Sequence, residues 1–171
     1  MTAYDIREHE AAAQAVRDAL DALGEPYEEL AVDPELADTE AFCAHYGIAI
    51  ELSANTIVVA SKRGEQQYAA CVLLATTRLD VNHAVRPLMG VKKASFASAD
   101  ETRALTGMLG GGVTPFGLPP GVPVYVDARV MECEHVWVGG GGRTTKLKVS
   151  PRVFERLPNA TVVEGLAAPA S

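Results

Sequence analysis

Residues 107–127, GMLGGGVTPFGLPPGVPVYVD, hold six of the chain's fifteen glycines and four of its ten prolines. Glycine has no Cβ, so main-chain N–H groups there can approach a ligand closely, while each proline fixes φ and withholds a donor. Two readings follow: a shaped, partly rigid ligand loop, or a hairpin turn followed by a surface loop. Other chemistries are not met. The chain lacks G-x-G-x-x-G, G-x-x-x-x-G-K-[ST] and G-x-S-x-G, and GGGGRTTK at 139–146 only imitates a phosphate loop. His9, His45, His83 and His135 have no ligand-spaced partners. In ECEH, 132–135, strand alternation would send neighbours to opposite faces, so a surface strand is expected rather than a metal site. Arg143, Lys146, Lys148, Arg152 and Arg156 face only Glu155, a basic region that could meet phosphates or be a solvated face.

These residues need elements to position them. Ile6, Ala13, Val16, Leu20 and Leu23 recur at helical spacing, and Gly24 followed by Pro26 stops that helix. A short strand over 27–32 and a helix from Asp38 or Thr39 to Tyr46, closed by Gly47, should follow. Runs 56–60 and 68–74, with Gly64 between them, read as a hairpin. Asp80 and Asp100 are expected N-caps for helices over 81–89 and 101–105. Strands are expected over 122–126, 136–138, 146–149 and 161–163, with a helix opening at Ser150 and Pro151. The pattern predicts an α+β fold with a mixed or largely antiparallel sheet.

With 171 residues, 48% hydrophobic and 22% charged, the chain is read as one domain over 1–165, including an added N-terminal helix over about 5–23. A flexible tail is expected over 166–171. The charged start MTAYDIREHE is no signal peptide and no apolar run would span a bilayer, so a cytoplasmic protein without a membrane partner is expected. Cys43, Cys71 and Cys133 are expected as free thiols. The net charge of −7 argues against DNA or any partner held by a general basic surface. It is split, however: residues 1–60 carry thirteen Asp/Glu against two Arg, and residues 61–171 carry nine against thirteen Lys/Arg.

The order NTIVVA, YAACVL, TTRLDVN, GVKKASFASADETRALTGMLGGGVTPFGLP, VPVYVD, VWVGGGGRTTKLKVSP resembles the YbaK/EbsC family over roughly residues 27–163. These are aminoacyl-tRNA deacylases related to the editing insertion domain of prolyl-tRNA synthetases. The helix ending in LTG, the G-x-x-x-P loop at 111–115 and the glycine-rich turn before KLKVSP carry the likeness. The resemblance implies an α+β sheet or barrel with surrounding helices. It also implies hydrolysis of the ester joining a wrongly attached amino acid to the tRNA 3′ end, using loop amides and a water rather than a nucleophilic side chain. Preorganised N–H donors aimed at a developing oxyanion supply several kcal/mol of such catalysis.

On that resemblance the catalytic candidates are Asn55, Gly111, Gly112, Thr114 and Pro115, with Val113 adding an amide. The substrate-binding candidates are Lys92, Lys93, Gly139, Gly140, Gly141 and Arg143. No metal or organic cofactor is implied. Partners would be the 3′ end of aminoacyl-tRNA and a synthetase or elongation factor that delivers it. The chain departs from the family where a lysine precedes the Thr of its K-T-L-V-like strand: Asn55 stands there, in ANTIVV. Asn82 and Gly139 replace a family lysine and a small polar residue. Lys92, Lys93 and Arg143 are candidates for the missing cation. The alternative is an inactive module that binds an aminoacyl or nucleotide-like ligand.

Overall fold

A computed structural model describes residues 5–170. It opens with α1 (Ile6–Leu23), which buries His9, Ala13, Val16 and Leu20 as one stripe at helical spacing. Asp5 caps its first turn and Gly24, at φ 75°, its last. The stripe differs from the expected one at Ile6, which is 55% exposed. His9 is buried in its place because its Nδ1 accepts from the Arg143 N–H at 2.8 Å.

The largest sheet has five strands: β2 (Ala54–Ser61), β3 (Tyr68–Leu74), β5 (Ala94–Phe96), β6 (Val124–Asp127) and β9 (Ala160–Val163), in the order β5-β2-β3-β6-β9. Strands β5, β2 and β3 are antiparallel neighbours, as the hairpin signal required. Strands β3, β6 and β9 are parallel, so the sheet is mixed; it is open at β5 and β9 rather than closed into a barrel. A second, antiparallel sheet has the order β1 (Tyr27–Ala31), β8 (Gly142–Val149), β7 (Val136–Gly140). Helix α1 lies against β7 and β8.

The pair β4 (Thr77–Leu79) and β10 (Ala167–Pro169) corrects the flexible tail over 166–169: Leu166 and Ala167 are buried, and β10 pairs with β4. Small residues suit that close packing; residue 171 lies outside the described residues. The segment expected as one helix is a π-turn, Val81–Val85, followed by α3 (Arg86–Met89), where Pro87 breaks the regular ladder. Helix α4 (Ala99–Thr106) starts at Ser98 rather than Asp100, because Ser98 and Glu101 complete a capping box. ECEH falls in the turn between α5 (Ala128–Met131) and β7, not on a strand.

The main core runs between the two sheets and includes Val72, Val124, Val138 and Leu147. Phe116 and Phe154, the latter on α6 (Arg152–Glu155), stack in it with centroids 6.0 Å apart. Both rings are fully buried, and truncating either to Ala should cost about 3–5 kcal/mol. Among the described residues no helix is long and apolar enough to cross a membrane, and no group of His, Cys, Asp and Glu could hold a metal ion.

Candidate active site

Between the sheets lies a cleft of about 280 Å³, lined by Asn55 and Ile57 from β2, Gly111 and Val113 from the first glycine loop, Gly139 from β7 and Lys146 from β8. Asp38 and Thr39, at the start of α2 (Thr39–Tyr46), close one side. Asn55, the first glycine loop through Gly111 and Val113, and the second glycine turn through Gly139 thus border one cleft.

Asn55 is held from α2: Thr39 Oγ1 donates to Asn55 Oδ1 at 2.7 Å. That bond occupies the acceptor and leaves the amide N–H groups for the cleft. Thr39 opens α2 directly after Asp38, whose carboxylate accepts from Arg143 at 2.9 Å. The Arg143 guanidinium holds the Asp38 carboxyl below its usual range.

Lys146, one of the basic residues over 143–156, lies in the wall of this cleft. It is only 6% exposed, and its Nζ donates to Gly111 O at 2.7 Å and sits 5.3 Å from the Phe42 ring centroid. Burial drives its pKa down to about 8, with Asp38 opposing that shift. An ammonium in so dry a position interacts far more strongly with developing charge than one in water. Lys146 and Lys148 stand two apart in unbroken register opposite Gly139 and Trp137, so they share a face of the sheet; Lys146 is buried because Phe42 and the Gly111 loop cover its end of that face, whereas Lys148 reaches Glu28 at the rim. Sequence period therefore does not tell the two lysines apart.

The remaining candidates divide between the cleft wall and positions outside it. Gly112 is buried and its N–H donates to Leu109 O at 2.8 Å, so that amide is committed within the loop. Thr114 and Pro115 are buried beneath the loop rather than exposed in the cleft. Gly140 and Gly141 are packed shut: a Cβ on Gly141 would lie 2.6 Å from Ala12 O of α1, and Gly141 has φ 98°. Gly139 lines the cleft, but a Cβ on it would lie 2.6 Å from the Gly112 and Val113 carbonyl oxygens. Arg143 is spent on Pro34 O at 2.8 Å, Gly110 O at 2.7 Å and Asp38, which clamps three segments together. Lys92 and Lys93 lie at the far end of β2, outside this cleft.

A family model described as an aminoacyl-tRNA editing domain matches residues 33–157. The chain belongs to the aminoacyl-tRNA editing domain family. Among solved structures, a hypothetical protein is 27% identical with a TM-score of 0.79, over 90% of this chain and 99% of that one. A protein proposed as a trans-editing enzyme for prolyl-tRNA synthetase is 23% identical with a TM-score of 0.76, over 90% and 95%. The editing-domain match starts after α1 and β1, so the helix that packs on the second glycine turn lies outside the matched segment.

Proposed function

We propose that this editing domain is a trans-acting deacylase that removes wrongly attached amino acids from tRNA. One observation carries the reading: a buried ammonium, a side-chain amide and bare loop backbone converge on one cleft, with Lys146 Nζ 2.7 Å from Gly111 O. Water adds to the ester carbonyl carbon, and the negative charge that develops on the carbonyl oxygen is met by the Asn55 amide, by Gly111 and Val113 N–H groups and by the Lys146 ammonium. Collapse breaks the bond to the ribose oxygen, which leaves with a proton, and the products are free amino acid and tRNA. Each such donor is worth about 10²–10³ in rate. Lys146 supplies from β8 the charge that the family lysine would bring at position 55. Trans action rests on the likeness to the trans-editing neighbour, and delivery by a synthetase or elongation factor suits a domain of net charge −7.

The test is hydrolysis of preformed alanyl-, cysteinyl-, seryl- and prolyl-tRNA, with Lys146→Met as the control. Loss of one or a few esters by the wild type, reduced at least about 10²-fold in the variant, is the expected result. Esters stable at high protein concentration across the panel would overturn the reading in favour of a binding module.

A further inference from the structure

Four exposed cations gather at the end of β2 opposite the cleft. Lys62 and Arg63 open the turn between β2 and β3, and Lys92 and Lys93 precede β5. The Lys62 N–H donates to Lys93 O at 2.9 Å, which locks the two segments side by side, and Arg63 and Lys92 line one open hollow of about 430 Å³. Glu65 in that hollow and Glu101, 3.9 Å from Lys62 Nζ, are the carboxylates beside them, so the patch stays positive on a chain of net charge −7.

Between patch and cleft stands Phe96, 54% exposed on the edge strand β5. It pairs with Val59, two residues along β2 from Ile57, which lines the cleft. Residues directly opposite share a face and alternate residues along a strand share it too, so Phe96, Val59, Ile57 and Asn55 point to one face; Val59 is fully buried there, and the exposed Phe96 ring stands at the β5 edge of that face. Seven residues separate Asn55 from Lys62, roughly 23 Å of strand. About seven stacked nucleotides at ~3.4 Å each cover that length.

We propose that Phe96 and the Lys62, Arg63, Lys92, Lys93 patch form a track for RNA, the ring stacking an unpaired base of the tRNA 3′ end and the cations holding phosphates of the stem behind it. The assignment of the track to tRNA rests on the deacylase reading of the cleft. An exposed aromatic beside a cationic groove is how single-stranded nucleic acid is held without sequence readout, each stacked base adding affinity and each phosphate contact adding salt dependence.

The experiment is anisotropy of an uncharged RNA minihelix ending in CCA, titrated with the full chain at several salt concentrations. Phe96→Ala should weaken binding roughly five- to hundredfold with the salt slope kept. Lys92→Ala/Lys93→Ala should weaken it and lower the slope of log affinity against log salt by roughly one to two. Arg7→Ala, an exposed cation on α1, should change neither. Affinity and slope unchanged in both track variants, or no binding by the wild type, would overturn the track. Wild-type hydrolysis of a small alanyl ester of adenosine, measured alongside, reports on the cleft alone: its presence with patch-independent binding sinks only the track, and its absence with patch-dependent binding sinks only the deacylase.

Discussion

The two glycine loops read alike in sequence and are used differently. Residues 139–142 are wholly buried, and their missing side chains let β7 and β8 turn against α1 and against the other loop. Residues 110–115 are divided: Gly110 is exposed, Gly111 and Val113 border the cleft, and Gly112, Thr114 and Pro115 are buried. Glycine in the second loop therefore serves close packing, with Gly139 also bordering the cleft, and in the first it serves both packing and access. The loops also hold each other, since the Gly141 N–H donates to Gly112 O at 2.6 Å and the Leu109 N–H to Gly141 O at 2.9 Å. The lesson is that a bare backbone marks a close approach without saying whether protein or ligand makes it.

The largest effect expected from this comparison is on folding. A Cβ on Gly112 would overlap the Gly142 carbonyl, backbone against backbone, with no flexible side chain to give way. Gly112→Ala and Gly141→Ala should each cost about 3 kcal/mol, read as a lower denaturation midpoint, with residual activity falling only with the folded fraction. Gly111→Ala is milder in packing, because its neighbours are the Arg143 guanidinium at 2.7 Å and two side-chain atoms at 3.2 Å, although φ 83° still strains an alanine. It should lose more activity than stability. Equal losses in all three variants would erase the distinction between the loops.

Lys146→Met separates chemistry from stability more sharply. The variant removes an ammonium that is buried at a cost and keeps the shape, so its melting temperature should equal or exceed that of the wild type while deacylation falls about 10²–10³-fold. The sign follows from the lowered pKa: below about pH 8 the wild type carries the full burden of burying a charge, and that burden fades as pH rises toward the value of a free lysine. Any stability gain in Lys146→Met should thus be largest below pH 8 and shrink above it. A variant that melts earlier at pH 7 would mean that the bond to Gly111 O outweighs the charge.

Much of this was legible in the chain and the reasons for the rest are physical. Helix α1, the β2/β3 hairpin and the glycine-closed end of α2 announce themselves through local periodicity and caps. Strands β4, β5 and β10 do not, because three-residue strands carry no period and exist through long-range pairing with Ala167, Val59 and Leu79. In the site, the order of motifs picked out Asn55 and both glycine loops as candidates, but their convergence depends on long-range packing that no local pattern encodes, and Lys146 was hidden by its resemblance to four other basic residues nearby. Arg143 shows the converse error: a cation beside a glycine turn reads as a phosphate ligand until its bonds to Pro34, Asp38 and Gly110 are seen.

The pH dependence of catalysis tests the same cleft with a smaller effect. If the protonated ammonium stabilises the oxyanion, the rate above the uncatalysed background should decline as pH rises through about 8. A rate that climbs through that range in the wild type and not in Lys146→Met would instead make the neutral amine a base.

Asn55→Lys should have the smallest effect in the wild type and the most informative one in combination. A second ammonium on the wall facing Lys146 disfavours both charges, so the fall in rate should begin at lower pH and net activity at pH 7 should change by less than about tenfold. In the Lys146→Met background the same substitution meets no like charge. There it should recover at least tenfold of the lost rate, since a cation delivered from β2 reaches the same cleft as one delivered from β8. The effects of the two substitutions are then strongly non-additive, as expected of residues that share one task. Additive losses would mean that positions 55 and 146 act on different parts of the substrate.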